Sequence, residues 1–197
     1  MKESPAALKE RLIEIILERT FQYREEPTFQ LVSGQKSHYY FNCKGTMLHP
    51  EGMVLIGRIG FERIRDLGVQ AVGGLTLGAD PLAYAISYSS WLAGSPIETF
   101  IVRKKAKAHG LRHKIEGNIR EGDRVVVVDD VVTTGGSTLQ AIEAAREAGL
   151  DVVKVMALVD RQEGGRENIE KSGLPFEAIL TREEVMQVYR TEHKAPS

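Results

Sequence analysis

Residues 124–149, RVVVVDDVVTTGGSTLQAIEAAREAG, constrain this chain more than any other stretch. Four consecutive valines, Val125 to Val128, suit a strand covered on both faces of a parallel sheet. Asp129 and Asp130 follow at its carboxyl end, then Thr133-Thr134-Gly135-Gly136-Ser137-Thr138, then a helix over about 137–148. Glycines and hydroxyls at a helix start offer free backbone N–H groups and the positive dipole end, which suit a phosphate. Two carboxylates beside them suit sugar hydroxyls or a phosphate-bound metal ion. The plainer alternative is an ordinary strand–turn–helix, with the acids as turn formers and Ser137 as an N-cap. No G-x-x-x-x-G-K-[ST] sequence occurs, and no strand is followed by G-x-G-x-x-G. A P-loop nucleotide or a dinucleotide is therefore not expected here.

The rest of the chain repeats this alternation of strand and helix. Ser4-Pro5 opens a helix whose apolar positions Leu8, Leu12, Ile15, Ile16 and Phe21 follow a 3.6-residue period. Residues 28–42 read as strand or hairpin. Pro50-Glu51 opens a second helix, with Met53, Ile56, Ile59, Ile64 and Leu67 facing inward and Gly57 and Gly60 allowing close approach. Strands are expected over 69–72, 97–102, 152–159 and 176–180, with a third helix from Pro81 through Trp91 and a final one capped by Thr181-Arg-Glu-Glu. Trp91 and Cys43 are expected to be packing residues. Strands alternating with helices imply a doubly wound, mostly parallel α/β sheet, here with an amino-terminal hood over the ligand edge.

At 197 residues a single domain is the default, and a net charge of −1 gives no global field for nucleic acid or a membrane surface. The single cysteine excludes an internal disulfide and a multi-cysteine metal site, and fits a reducing cytoplasm. The charged amino terminus is not a secretory signal, and no apolar run is long enough to span a bilayer. His109 and His113 are four apart, but Gly110 breaks a helix there and no third zinc ligand is evident.

The segment VVVVDDVVTTGGST resembles the ribose-phosphate motif of the type I phosphoribosyltransferases. Three further stretches resemble the orotate phosphoribosyltransferase branch. FQLVSGQKSHYYFN (Phe29 to Asn42) resembles its amino-terminal signature, RKKAKAHG (Arg103 to Gly110) its catalytic loop, and DRQEGG (Asp160 to Gly165) the segment whose arginine holds orotate's carboxylate. The four occur in the family's order, across about residues 8–190.

The resemblance implies the type I phosphoribosyltransferase fold over 1–197, with helix and hood at about 1–45 and an α/β core at about 50–190. It implies transfer of ribose 5-phosphate from phosphoribosyl pyrophosphate (PRPP) to orotate in UMP biosynthesis, with Mg2+ carried by PRPP. By resemblance, Asp129 and Asp130 contact the ribose hydroxyls, and residues Val131, Val132, Thr133, Thr134, Gly135, Gly136 and Ser137 wrap the 5-phosphate. Arg103, Lys104, Lys107 and His109 serve the pyrophosphate, with Lys107 stabilising it as it leaves. The loop Gly73 to Gly78, with Gly74 and Thr76, resembles the family's pyrophosphate loop. Tyr40 and Phe41 lie against the orotate ring, Thr133 bonds its edge, and Arg161 holds its carboxylate. The family uses the catalytic loop across subunits, so a homodimer is implied. Two lysines of some relatives are replaced by Val32 and Gly78, and Lys36 or Lys44 are the candidates to compensate.

Read as bare residues, several of these have plainer explanations. Residues 103–109 could be a solvated basic loop, and Arg161 could sit in a surface salt bridge with Asp160 or Glu163. Two rival functions stand beside the orotate enzyme. One is a phosphoribosyltransferase for another base, such as a purine. The other is a PRPP-sensing regulator without catalysis.

Overall fold

The computed structural model describes residues 4–30, 36–104 and 114–193. Its frame is a six-stranded sheet in the order β10-β9-β8-β5-β6-β7. These strands are β5 (Ala71–Leu75), β6 (Glu98–Val102), β7 (Ile115–Gly117), β8 (Arg124–Val132), β9 (Asp151–Asp160) and β10 (Phe176–Thr181). All neighbours are parallel except β6 and the short edge strand β7.

The four valines behave as a doubly covered strand should. Val126 and Val128 join a core cluster with the helices α1 (Pro5–Arg19), α3 (Pro50–Glu62), α4 (Asp80–Leu92) and α7 (Arg182–Glu192). Val125 and Val127 pack on the other face with α5 (Gly136–Glu147) and α6 (Gly165–Glu170). From β5 the chain moves outward to β6 and β7, then returns to lay β8, β9 and β10 on β5's other side. The loops after β5 and β8 part at that reversal, where open α/β sheets hold ligands at strand carboxyl ends.

Most of the expected elements form. Ser4 Oγ accepts from Ala7 N at 3.2 Å to cap α1, and Thr181 and Glu184 make a reciprocal capping box on α7. A Cβ at Gly57 would lie 2.4 Å from Ala85 O, so the close approach of α3 to α4 needs that glycine. Residues 28–42 divide between two pairings. The strand β2 (Phe29–Gln30) pairs with β3 (Lys36–Ser37), while β4 (Tyr39–Phe41) pairs antiparallel with β1 (Phe21–Tyr23). A short helix α2 (Lys44–Met47) then leads into the core.

Five positions depart from expectation. Phe21 lies beyond the end of α1, on β1, where its ring packs against Phe41 and Tyr189. Ile64 is buried but past the end of α3, and Leu67, only partly buried, lies in the 3-10 turn at Arg65–Leu67 that follows. Met53 is half exposed, and Trp91 is 70% exposed rather than core. The reason for Trp91 is geometric. Helix α4 carries a buried stripe of Leu82, Ala83, Ala85, Ile86 and Ser90, and a second, exposed stripe of Tyr84, Tyr88, Trp91 and Leu92. Apolar spacing identifies both stripes but cannot say which one the protomer buries.

Candidate functional site

Asp129 and Asp130 lie within β8 rather than beyond its end, because the strand continues to Val132. Alternation then sends the two carboxylates to different environments. Asp129 is 4% exposed and Asp130 only partly buried. Ser137 and Thr138 both donate their hydroxyls to Asp129 Oδ2 at 2.7 Å, and Asp130 N donates to Asp129 Oδ1 at 3.0 Å. Burial, reinforced by the neighbouring Asp130, pushes the Asp129 carboxyl up to about 6 despite the two hydroxyl bonds. Ser137 therefore ties the start of α5 to the acid and does not cap the helix. Gly135 is the N-cap, in the left-handed conformation at φ +84°.

The loop between acid and helix is braced from behind. Asn168 Nδ2 donates to Thr134 O at 3.0 Å, and a Cβ on Gly165 would stand 2.5 Å from Thr133 O. Helix α6 thus packs directly under the loop and fixes its path. On the other side, β5 brings its own loop alongside. Thr76 N donates to Val102 O at 2.9 Å, and its hydroxyl donates to Asp80 at 2.7 Å. A Cβ on Gly78 would reach Asp130 Oδ1 at 2.7 Å, so Gly78 is where this second loop meets the acid pair.

A cavity of 640 Å³ opens in front of these loops. Its walls include Tyr40, Val131, Thr133, Ser137, Lys104 and Arg161, with Phe41, Thr134 and Gly136 also contributing. A neighbouring recess of 420 Å³ is lined by Thr76, Ile101, Arg103, Lys104 and Glu116. Lys104 belongs to both, so the two recesses meet at one cation. Arg103 is ion-paired with Glu116 on β7. Tyr40 is exposed and stacks on Phe29 at 5.5 Å, while Phe41, one residue on, turns into the core beside Phe21.

Arg161 follows directly after β9. It is 4% exposed, and its Nη2 donates to Ser37 Oγ at 3.1 Å and pairs with Glu163 Oε1 at 2.8 Å. The pairing with Glu163 matches one of the plainer expectations, but the guanidinium is buried in a cavity wall instead of lying on the surface. Its Nε is shut from solvent and has no acceptor among the described residues. Asp160 pairs instead with Arg166 at 3.5 Å.

The structure therefore brings together Asp129, Asp130, residues Val131 to Ser137, Lys104, Tyr40, Phe41 and Arg161. Lys36 and Lys44 are both exposed and line neither recess. Cys43, next to Lys44, is buried, and burial together with Asp130 raises its thiol well above the usual range, so this turn lies within reach of the acid pair. Lys107, His109 and Val32 fall outside the described residues. Sequence reasoning missed Gln30, Ser37 and Gln140 as neighbours of the site, and read Thr138 only as part of the loop. Thr138 had a signal, since it stands in the same hydroxyl-rich run; Gln30 and Ser37 lie within the signature Phe29 to Asn42, but nothing in it names Arg161, 124 residues away, as the partner of Ser37.

Among the described residues, no group of three or more His, Cys, Asp or Glu forms a metal cage. Two adjacent carboxylates beside a phosphate-type loop still fit a Mg2+ that arrives mostly liganded by its substrate's oxygens. No helix of the described residues is long and apolar enough to cross a membrane.

Comparison with known proteins agrees with this geometry. Residues 50–182 match the phosphoribosyl transferase domain family. The orotate phosphoribosyltransferase of Aquifex aeolicus is 47% identical, over 90% of this chain and 97% of its own length. That of Mycobacterium tuberculosis, solved with Fe(III) dicitrate, superposes with a TM-score of 0.79 at 39% identity, covering 90% of this chain and 98% of the other. A second structure of the mycobacterial protein, in complex with PRPP, gives a TM-score of 0.76 at 36% identity over 90% of this chain and 98% of the other. With its fold and most of its length shared at this level, the chain belongs to the orotate phosphoribosyltransferase family.

Proposed function

We propose that this protein transfers the ribose 5-phosphate group of PRPP to orotate, forming orotidine 5′-monophosphate and pyrophosphate in cytoplasmic pyrimidine biosynthesis. The observation that carries this reading is the shared cavity. One wall holds a buried arginine and an exposed tyrosine, and another holds the hydroxyl- and glycine-rich loop after the acid pair. A planar guanidinium matches a carboxylate, which orotate has and the neutral nucleobases lack.

The bond from the anomeric carbon to pyrophosphate breaks ahead of attack by an orotate ring nitrogen, so positive charge builds on the ribosyl ring. Residues 133–137 receive the 5-phosphate at the start of α5, where backbone N–H groups converge. The acid pair orients the ribose through its hydroxyls. Asp129 already accepts three internal bonds, so Asp130 has more free acceptor capacity. Arg103, Lys104 and the loop carrying Gly74 and Thr76 offset charge on the departing pyrophosphate, joined by Lys107 and His109 in the family's manner. Lys36 and Lys44 stand outside both recesses, and of the two only Lys44, beside the buried Cys43, comes near the acid pair to supplement this charge where Val32 and Gly78 replace lysines. A Mg2+ carried by PRPP and touched by Asp129 or Asp130 would neutralise the leaving oxygens. Arg161 and Tyr40 fix the acceptor ring, with Phe41 supporting Tyr40's strand and Thr133 bonding the ring edge.

A homodimer completes the reading, with the catalytic loop reaching the partner's site. The exposed stripe of Tyr84, Tyr88, Trp91 and Leu92 supports it, because aromatic residues at this spacing form a contiguous apolar face. The test is PRPP-dependent loss of orotate absorbance, repeated with Lys107→Ala. No loss with the parent protein would refute the activity. An unaffected variant would refute only the loop's role.

A further inference from the structure

We infer that Glu163 is a positioning residue for the acceptor site, setting the orientation of the Arg161 guanidinium against an incoming carboxylate. This rests on Arg161 as the orotate ligand and goes further, by assigning a role to Glu163 and to the turn that carries it.

The turn is built to return Glu163 to the side chain two residues before it. Arg161 N donates to Val132 O at 2.9 Å, which fixes the backbone against β8. Asp160 Oδ1 then accepts from Gln162 N at 2.7 Å, closing a tight turn. Gln162 sits at φ +58°, a left-handed conformation rare outside glycine, and its side-chain oxygen accepts from Glu183 N at 3.1 Å in the first turn of α7. A strained residue anchored at both backbone and side chain persists only where its surroundings hold it. The turn so held carries Glu163 Oε1 to 2.8 Å from Arg161 Nη2.

Ser37 accepts from the same nitrogen, so both hydrogens of Nη2 are committed. A guanidinium pinned at one nitrogen by two acceptors cannot turn about its last torsions. Nη1 is thereby left to face an acceptor in the cavity, while Nε stays solvent-excluded and without an acceptor among the described residues. A surface ion pair would need neither the burial of Arg161 nor the left-handed turn.

Two conservative variants separate reach from charge. Glu163→Asp keeps the charge but withdraws the oxygen; Glu163→Gln keeps an accepting oxygen at the same reach. Positioning predicts that Glu163→Asp raises the orotate KM about tenfold or more, with Glu163→Gln within about threefold of the parent and the PRPP KM within about twofold in both. Thermal melts of both variants confirm that folded protein is compared. An unmoved orotate KM in Glu163→Asp overturns the inference. So does a parallel rise for PRPP, or impairment by Gln and not Asp, which would point to charge alone. Absence of orotate turnover in the parent would instead refute the proposed activity.

Discussion

The cavity is flanked by two buried charges that were assembled in opposite ways. Asp129 is an anion whose three donors all come from residues 130–138, within a single strand–loop–helix. Arg161 is a cation held by its own turn and by Ser37 on the hood, 124 residues away. The anion is fully hydrogen-bonded yet electrostatically costly, because burial and Asp130 oppose its ionisation. The cation is paired but keeps one solvent-excluded N–H without an acceptor among the described residues. Local sequence can build a complete hydrogen-bond shell around a charge. A shell drawn from distant segments can leave a donor unmatched.

The largest effect expected from this contrast is on the acceptor side. Truncating one member of a buried, hydrogen-bonded charge pair costs about 2–4 kcal/mol, or roughly 30- to 700-fold in an equilibrium or rate ratio. Arg161→Ala should lower kcat/KM for orotate by that factor and leave PRPP binding, followed by calorimetry, nearly unchanged. An equal loss of PRPP affinity would break the division into two independently built halves.

The donor side should show itself in stability against pH. The Asp129 carboxyl titrates at about 6 in the fold against an ordinary 3.8, so between those values the folded chain holds a proton that the unfolded chain has released. Stability therefore falls as pH rises through that window and stays lower above it, by up to about 3 kcal/mol. Asp129→Asn should flatten this decline in urea titrations of the magnesium- and ligand-free protein. It should be more stable than the parent at pH 8, gain nothing at pH 4, and lose transferase activity. Equal pH profiles for the two proteins would show that Asp129 carries no such cost.

The same contrast explains what the sequence made legible. The strands over 69–72, 97–102, 125–128, 152–159 and 176–180 and the helices between them follow from short-range pattern, and the chain from Asp129 to Ser137 carries its chemistry within one contiguous run. Resemblance pointed to Arg161, but nothing near it in sequence announces Ser37. That bond exists only once β3 is folded over the end of β9. Strand β7 and helix α6 are three and six residues long, too short for a period to emerge, although α6 braces the phosphate-type loop. Trp91 was misread for a related reason. Its apolar spacing is real, but the surface it matches is not part of the protomer's own core.

The smallest effect tests the turn that joins the two kinds of construction. At Gln162, two contributions oppose each other. A left-handed non-glycine residue costs about 1–2 kcal/mol, which glycine relieves. Glycine also loosens the unfolded chain, at about 0.5–1 kcal/mol, and here it deletes the acceptor of Glu183 N, worth about 0.5–1.5 kcal/mol. Gln162→Gly should therefore change global stability by no more than about 1.5 kcal/mol, a melting shift of about 3–6 °C at most for a chain of this size. Its orotate KM should nevertheless rise several-fold, since freeing the turn lets Glu163 drift from Arg161. If stability dropped sharply while orotate binding held, the turn would be serving the fold through α7, and the acceptor arginine would owe its position to the hood alone.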